Sequence, residues 1–286
     1  MIFEDFAKMH GLIIQGLESH KWISTPTEDH PRSKNGRYKF LGDVGWVQNW
    51  ATMDKPEMWR LEGEFKPNPQ FAKAKSDAYR KRIELADKAS AKAGWIMHQT
   101  ELKNHPYLVK KGFKDMTMPV WDTPEGEGKL VIAMRRDNKI VGCQLVSKEG
   151  EKKFLYGQTS KGASFVMDAK GIHIFCEGFA TGLSIQAIMR ANKMRYTIHV
   201  CFSAGNMKEV ARGFPNGIVI ADNDNSGVGE STAQETGKPY WLSDTVGEDF
   251  NDYHMRVGLF RASQGLKKFL MSVESASSSR ILLQSA

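Results

Sequence analysis

Cysteine is scarce. Cys143, Cys176 and Cys201 are the only three in 286 residues, and they lie far apart. A cysteine zinc ribbon needs clustered thiolates, so none is expected and zinc is not an expected cofactor. Each cysteine sits in an apolar, strand-like run, which fits reduced, buried thiols and a cytoplasmic setting. Long apolar runs are missing too. None approaches the roughly 20 residues that span a bilayer, and the N-terminus lacks a secretory-signal pattern, so no membrane partner is expected. The eight histidines are scattered without metal-ligand spacing. No G-x-x-x-x-G-K-[ST] stretch occurs, because ETGKPY lacks the upstream glycine and the closing Ser or Thr; no NTP-driven motor is expected in this chain.

What is present is an ordinary globular composition, 41% hydrophobic and 26% charged, with a formal net charge of +7. The length fits one large or two small domains. The basic excess is uneven: residues 1–160 hold 27 Lys and Arg against 21 Asp and Glu, and residues 161–286 hold 13 against 12. A basic front half points to a polyanionic partner.

The patterning changes along the chain. Residues 3–18 read as a short amphipathic helix, and 22–65, with GRYKFLGDVGWVQNW, as a small antiparallel unit. A charged helix is expected from Pro67 to about Met97, and HPYLVKKG as a short helix ending at Gly112. KLVIAMRR, KIVGCQLVS and KKFLYGQ then read as a β-meander. From about residue 170, strands and helices alternate: GIHIFCEG, a helix from Ala180 to Asn192, YTIHVCFS, a helix over 206–213, GIVIAD, a helix over 227–237, PYWLS, and a helix from Phe250 to about Met271. This alternation predicts a parallel sheet with covered faces. The fold class expected is α/β, or α+β overall. Four regions are expected: 1–115 mixed α/β, 116–168 the basic meander, 169–272 the α/β domain, and 273–286 a disordered tail.

Three of the strand ends carry carboxylates: Glu177-Gly178, Asp222-Asn223-Asp224, and GEDFNDYH with Asp249, Asn251 and Asp252. In a parallel sheet these ends share one edge, where α/β proteins bind ligands. Carboxylates that converge there repel one another unless a cation sits between them, and Mg²⁺ or Mn²⁺ is the expected one. Such a cluster suits in-line displacement at phosphorus. An Asp behind a strand also serves as the N-cap of the next helix, and for Asp249 both roles are compatible.

CEGFATGLS, IADNDNSG and GEDFND, in that order, resemble the Toprim domain of bacterial-type primases, topoisomerases and some nucleases. The resemblance implies that Glu177 is a general acid/base or metal ligand, that Asp222 and Asp224 hold Mg²⁺, and that Asp249 is the later acidic ligand. Thr181 departs from the replicative bacterial primases, which are acidic four residues after the motif Glu. The form EG-x-x-T-x-x-S is similar to that of phage- and plasmid-encoded primases. HPYLVKKG, VIAMRRDNKIVGCQ and EGEKKFLYGQTSKGASF resemble the segment that precedes Toprim in those proteins, and EDHPRSKNGRYKF resembles the opening of their primase region.

Residues 129–161 are rich in cations, and Arg135, Arg136, Lys139, Lys152, Lys153 and Lys161 are the candidates to hold nucleic acid or nucleotide. The alternative for each is a solvated hairpin face. Phe154 and Tyr156 are stacking candidates, with core packing preferred for Phe154. Arg32, Lys34 and Arg37, beside Trp46, Trp50 and Trp59, form a possible second nucleic-acid surface, although core packing is preferred for the tryptophans. SAGN at 203–206 is read as a turn with an N-cap in preference to a phosphate cradle. The function expected is primer synthesis on single-stranded DNA from ribonucleoside triphosphates, with a replicative helicase as partner. A Toprim metal-dependent nuclease and a non-catalytic nucleic-acid-binding module are the alternatives.

Overall fold

A computed structural model describes residues 1–18, 21–61 and 69–284, excepting the side chains of 69–75 and 276–284. The chain divides into two units, Met1–Ser76 and Asp77–Ala286.

The first unit opens with α1 (Phe3–Met9), followed by β1 (Ile23–Thr25), β2 (Gly36–Phe40), β3 (Val44–Asn49) and β4 (Glu57–Arg60). The four strands pair antiparallel in sequence order. Alternation sends Tyr38, Val47 and Trp59 to one face, where they pack with Phe3, Ala7 and Leu12. The helix expected over 3–18 stops at Met9, because the chain then pairs with the sheet side: Leu12 bridges Thr27 and Ile13 N–H donates to Pro26 O at 2.9 Å. The core role expected for the tryptophans holds for Trp59, which is buried, but not for Trp50, which is 47% exposed. The end of the antiparallel unit expected at 62–65, and the first residues of the helix expected at 67–68, lie outside the described residues.

The second unit takes up α2 (Pro69–His98) from Asp77 on, then β5 (Glu101–Lys103), α3 (Pro106–Lys110), β6 (Met118–Asp122), β7 (Gly128–Arg136), β8 (Lys139–Val146) and β9 (Lys152–Phe154). β5 to β9 form one antiparallel sheet in sequence order. The meander read from sequence is its last three strands. At the end of β7 the register slips between Met134 and Arg135. Arg135 then makes a two-bond bridge with Ser164, N–H to O at 2.9 Å in each direction. Beyond the bulge β7 stays paired with β8, through Arg135 with Ile140 and Arg136 with Lys139, and also joins the chain entering the next sheet.

That next sheet holds β10 (Phe165–Asp168), β11 (Ile172–Cys176), β12 (Tyr196–Val200), β13 (Ile218–Ile220) and β14 (Tyr240–Trp241), in the order β10-β12-β11-β13-β14. β11 to β14 are parallel, and β10 closes one edge antiparallel. The helices are α4 (Phe179–Ala191), α5 (Ala204–Arg212), α6 (Val228–Glu235) and α7 (Phe250–Gln284). Ile174, Cys176, Ile198, Val200, Ile218 and Ile220 pack with α4 and α7; Phe175, Val219 and Ala221 pack on the other face with α5 and α6. Both faces are covered, which is why these strands are apolar without alternation. Each fully buried Ile contributes about 1.5–3 kcal/mol. The expected α/β class with a mainly parallel sheet is the one observed. The single helix expected from Phe250 is interrupted: Gly258 has φ 78° and ψ 161°, a conformation open to glycine alone. Of the tail expected at 273–286, residues from 276 on lie outside those whose side chains are described. Among the described residues no helix is long and apolar enough to cross a membrane.

Candidate active site

Parallel pairing aligns the strand ends. Cys176 of β11 sits opposite Ile220 of β13, so Glu177 and Asp222 leave adjacent strands at the same edge. The third acidic segment is fastened to the second. Asn223 N–H donates to Glu248 O at 3.1 Å, Gly247 N–H donates to Asn223 O at 2.6 Å, and Asn223 Nδ2 donates to Ser243 O at 3.0 Å. Asn223, between the two aspartates, is therefore the clamp that brings Asp249 beside them.

The carboxylates act on one another. Burial raises the pKa of Asp222 to about 7, with the charges of Asp249 and Glu177 adding to it, Lys152 opposing, and Asp224 adding a further increment. Burial also raises Glu177; Lys152 opposes, Asp224 adds, and the Ala204 N–H at the start of α5 opposes. Lys152 is thus the cation that faces the acidic pair. Lys153 is not: β-alternation sends it to the opposite side of β9, where it pairs with Glu151 at 3.2 Å.

Asp224 and Asp249 have local duties as well. Asp224 accepts from Ser226 N–H at 2.7 Å, from the Ser226 hydroxyl, and from Gly229 N–H at 3.1 Å. These bonds, led by the Ser226 side chain, lower its pKa. Asp249 Oδ1 accepts from Asp252 N–H at 2.8 Å and so caps α7. Gly229 is required by contact: a Cβ there would lie 2.2 Å from Asp222 O.

Among the described residues, no three His, Cys, Asp or Glu side chains stand as a ready-made metal cage. The site nevertheless fits a divalent cation. Asp222 Oδ1 is buried and has no hydrogen-bond partner, and its neighbours are other carboxylates. An orphaned carboxylate oxygen in that company is a hard-cation ligand whose remaining positions go to water or phosphate. Asp222 and Glu177 are the residues that would hold it, with Asp224 and Asp249 at the rim. Thr181, on the first turn of α4, is fully buried with its Oγ1 unpartnered.

Two residues on this edge were given no role by the sequence. Tyr107 of α3 buries its hydroxyl without a partner, and burial, Asp249 and Asp252 raise its pKa to about 12. Its signal was HPYL, which shows only a helix start. Asn251 is fully buried and donates Nδ2 to Lys111 O and to Ser184 Oγ, both at 3.0 Å. Sequence placed it beside the acids without a task.

The remaining basic candidates fall elsewhere. Arg135 Nη1 donates to Asn138 O at 3.1 Å, and Arg136 Nη1 donates to Lys161 O at 2.9 Å. Lys161 pairs with Glu209 at 3.4 Å. Arg136 and Lys139 line a cavity of about 390 Å³ against α2, with Tyr79, Arg82 and Thr159; none of the four strand-edge carboxylates lines it. Phe154 is 49% exposed, not core as preferred from sequence, and its ring centroid lies 6.3 Å from that of Phe202. Phe202 N–H donates to Glu177 O at 2.9 Å. Lys152 and Phe154 share one side of β9, so a cation and an open ring flank Glu177 together. SAGN is a capped turn, as read: Ser203 Oγ accepts from Asn206 N–H at 3.3 Å, and Asn206 Nδ2 bonds Ala163 O and Cys201 O.

Residues 172–259, which hold all three acidic segments, match the family described as Toprim domain. This stretch is a Toprim domain. Toprim domains are generally divalent-metal-binding. No curated protein matches the chain. Solved structures similar to it include a bacteriophage T7 lagging-strand DNA polymerase with primase domains bound to an RNA/DNA hybrid and dTTP, at TM-score 0.40 and 15% identity over 57% of this chain and 83% of that one. Another is the primase fragment of the bacteriophage T7 primase-helicase protein, at TM-score 0.39 and 16% identity over 58% and 68%. A third is a DNA primase domain from Pseudomonas aeruginosa, at TM-score 0.32 and 13% identity over 55% and 56%.

Proposed function

We propose that the chain is a primase-type nucleotidyltransferase of phage or plasmid replication, making short RNA primers on single-stranded DNA. The observation that carries the chemistry is the meeting of Glu177, Asp222, Asp224 and Asp249 at one Toprim strand edge with Lys152 against them. The primase form of that chemistry is supported by the resemblance of the HPYLVKKG-to-GASF segment to the region before Toprim in phage and plasmid primases. In this reading the 3′-hydroxyl of one nucleotide attacks the α-phosphorus of the next. The O–P bond forms, the bond to pyrophosphate breaks, and the hydroxyl proton passes to the Glu177 carboxylate oxygen that the cation leaves free. A bound Mg²⁺ or Mn²⁺ supplies charge neutralisation at the triphosphate. Lys152 adds a fixed positive charge beside the phosphates, and Phe154 offers a ring for a base. Arg135, Arg136, Lys139, Lys153 and Lys161 hold the polyanion away from the reacting atoms. The protein would work in the bacterial cytoplasm beside a replicative helicase.

The test is a primer-synthesis assay with single-stranded DNA of mixed sequence, labelled ribonucleotides and Mg²⁺ or Mn²⁺. Short labelled products are expected from wild type and not from Asp222→Ala/Asp224→Ala. Loss of end-labelled DNA without added nucleotides would overturn the reading in favour of a nuclease.

A further inference from the structure

The first unit carries an aromatic and cationic face that its fold leaves open. On β2, residues alternate between Tyr38, which is buried, and Arg37 and Lys39, which are not. The cross-strand register puts Ser24, Arg37 and Gln48 in one row and Lys39, Trp46 and Met58 in the next, with Val44 and Arg60 beyond. All of these point away from the Phe3–Tyr38–Trp59 core. The face therefore holds Arg37 and Lys39, and none of its strand-paired residues is a carboxylate.

Its edges are indoles. The Arg37 guanidinium lies 4.5 Å over the ring of Trp22 and 6.0 Å from that of Trp50. Trp22 is 41% exposed and Trp50 47%. The arrangement is held in place: Arg37 Nε donates to Gln48 Oε1 at 3.0 Å, and buried Gln48 is fixed by its Nε2 bond to Met53 O at 3.2 Å. Trp50 N–H donates to Asn35 O at 3.0 Å, which ties the turn carrying exposed Arg32 and Lys34 to the same edge. Of the two acids at the start of that turn, Asp29 is engaged by Asn49 Nδ2 at 3.2 Å and by His30 at 3.2 Å, and Glu28 is exposed.

A structural explanation needs one indole to cover Arg37, not two with half their surface in water. Open indoles beside cations are the elements of a single-strand platform: rings for bases and cations for phosphates. The positive charge selects a polyanion over an apolar protein segment. We propose that this sheet face binds single-stranded nucleic acid, with Trp22 and Trp50 stacking bases and Arg32, Lys34, Arg37 and Lys39 meeting phosphates. That the bound strand is a template being copied rests on the function proposed above; the surface itself does not.

The experiment measures anisotropy of a fluorescent single-stranded oligodeoxynucleotide with the full chain, for wild type, Trp22→Ala, Trp50→Ala and the double variant. Trp22→Phe and Trp50→Phe serve as ring-retaining controls, and thermal melts report the fold. Each alanine should weaken binding about tenfold, the phenylalanines by much less, and duplex of equal length should bind with no sensitivity to either indole. Unchanged single-strand affinity in the folded double variant would overturn the proposal and leave the face to a protein partner. An equal loss for duplex would overturn it as well, because duplex bases are not free to stack. Primer synthesis is read in parallel. Absent synthesis by wild type with an intact tryptophan effect would remove the primase reading alone, whereas normal synthesis with no tryptophan effect on binding would remove the platform alone.

Discussion

Asn251 donates its side-chain amide to Ser184 Oγ at 3.0 Å. That contact ties α4, which begins behind Glu177, to α7, which Asp249 caps. The same amide reaches Lys111 O at 3.0 Å, and Ser184 also meets His254 Nδ1 at 3.0 Å. Asn251→Leu should therefore cost about 1–3 kcal/mol, because it removes the side-chain donor of the Lys111 carbonyl and leaves the buried Ser184 hydroxyl with His254 as its remaining side-chain partner. Urea denaturation checks this; a change within error would show that water replaces the amide. Activity should fall further than stability if Asn251 sets the spacing of Glu177 and Asp249.

Asp222 is held among like charges, so its loss should relieve repulsion in the protein without metal. Asp222→Asn in chelator is expected to melt no lower than wild type. Millimolar Mg²⁺ should raise the melting temperature of wild type and leave that of the variant unmoved, since only a native-state ligand stabilises. Differential scanning fluorimetry gives both readings. An equal rise in both proteins would place the cation elsewhere.

Gly229 packs where a methyl group cannot. Gly229→Ala forces the Asp222 carbonyl and the Asp224 loop apart and should cost about 1–3 kcal/mol. Mg²⁺ affinity should fall with it, since both aspartates shift. Isothermal titration of the folded variant tests the second part, and unaltered affinity would show that the loop relaxes without moving its carboxylates.

His199 Nε2 lies 3.0 Å from His173 Nδ1, and its ring stacks on Phe175 at 4.9 Å and packs on Phe214 at 4.7 Å. Burial, then the His173 charge, lower its pKa to about 4, against the pull of Asp168. The unfolded chain takes up that proton near pH 6.5, and the folded chain does so only near 4. The stabilisation is thus complete above about pH 6.5 and is lost as pH falls toward 4, on the order of 3 kcal/mol. Between pH 7.5 and 4.5, wild type should lose more unfolding free energy than His199→Phe. Equal losses would assign the acid sensitivity to other groups.

The Toprim half was legible because its signals are unambiguous. Ile218-Val219-Ile220 is apolar throughout and Ile172–Cys176 is apolar but for His173, as doubly covered strands are, and their carboxylates come behind them. β5 is three residues long, too short to show a period. β10 reads equally well as the end of the meander, and only its pairing with Tyr196–Val200 assigns it to the other sheet. Phe154 was misread because an isolated aromatic in a strand looks like core; the short β9 at a sheet edge leaves it open. Trp50 failed for a related reason, since it follows β3 by one residue and falls past the edge of the core. Lys152 and Lys153 are indistinguishable as a dipeptide, and only pleating separates the one that meets Glu177 from the one that meets Glu151.

The paired hydrogen bonds between Arg135 and Ser164 have a mechanical consequence. They weld the end of β7 to the start of β10, so the strand that leads to the basic hairpin and the sheet that carries the carboxylates share a stiff seam. A substrate entering between them meets walls whose separation is already set. In the function proposed above, accommodation of different bases would fall to side-chain torsions at Lys152, Phe154 and Tyr156, which is a matter of nanoseconds, not to a hinge between sheets.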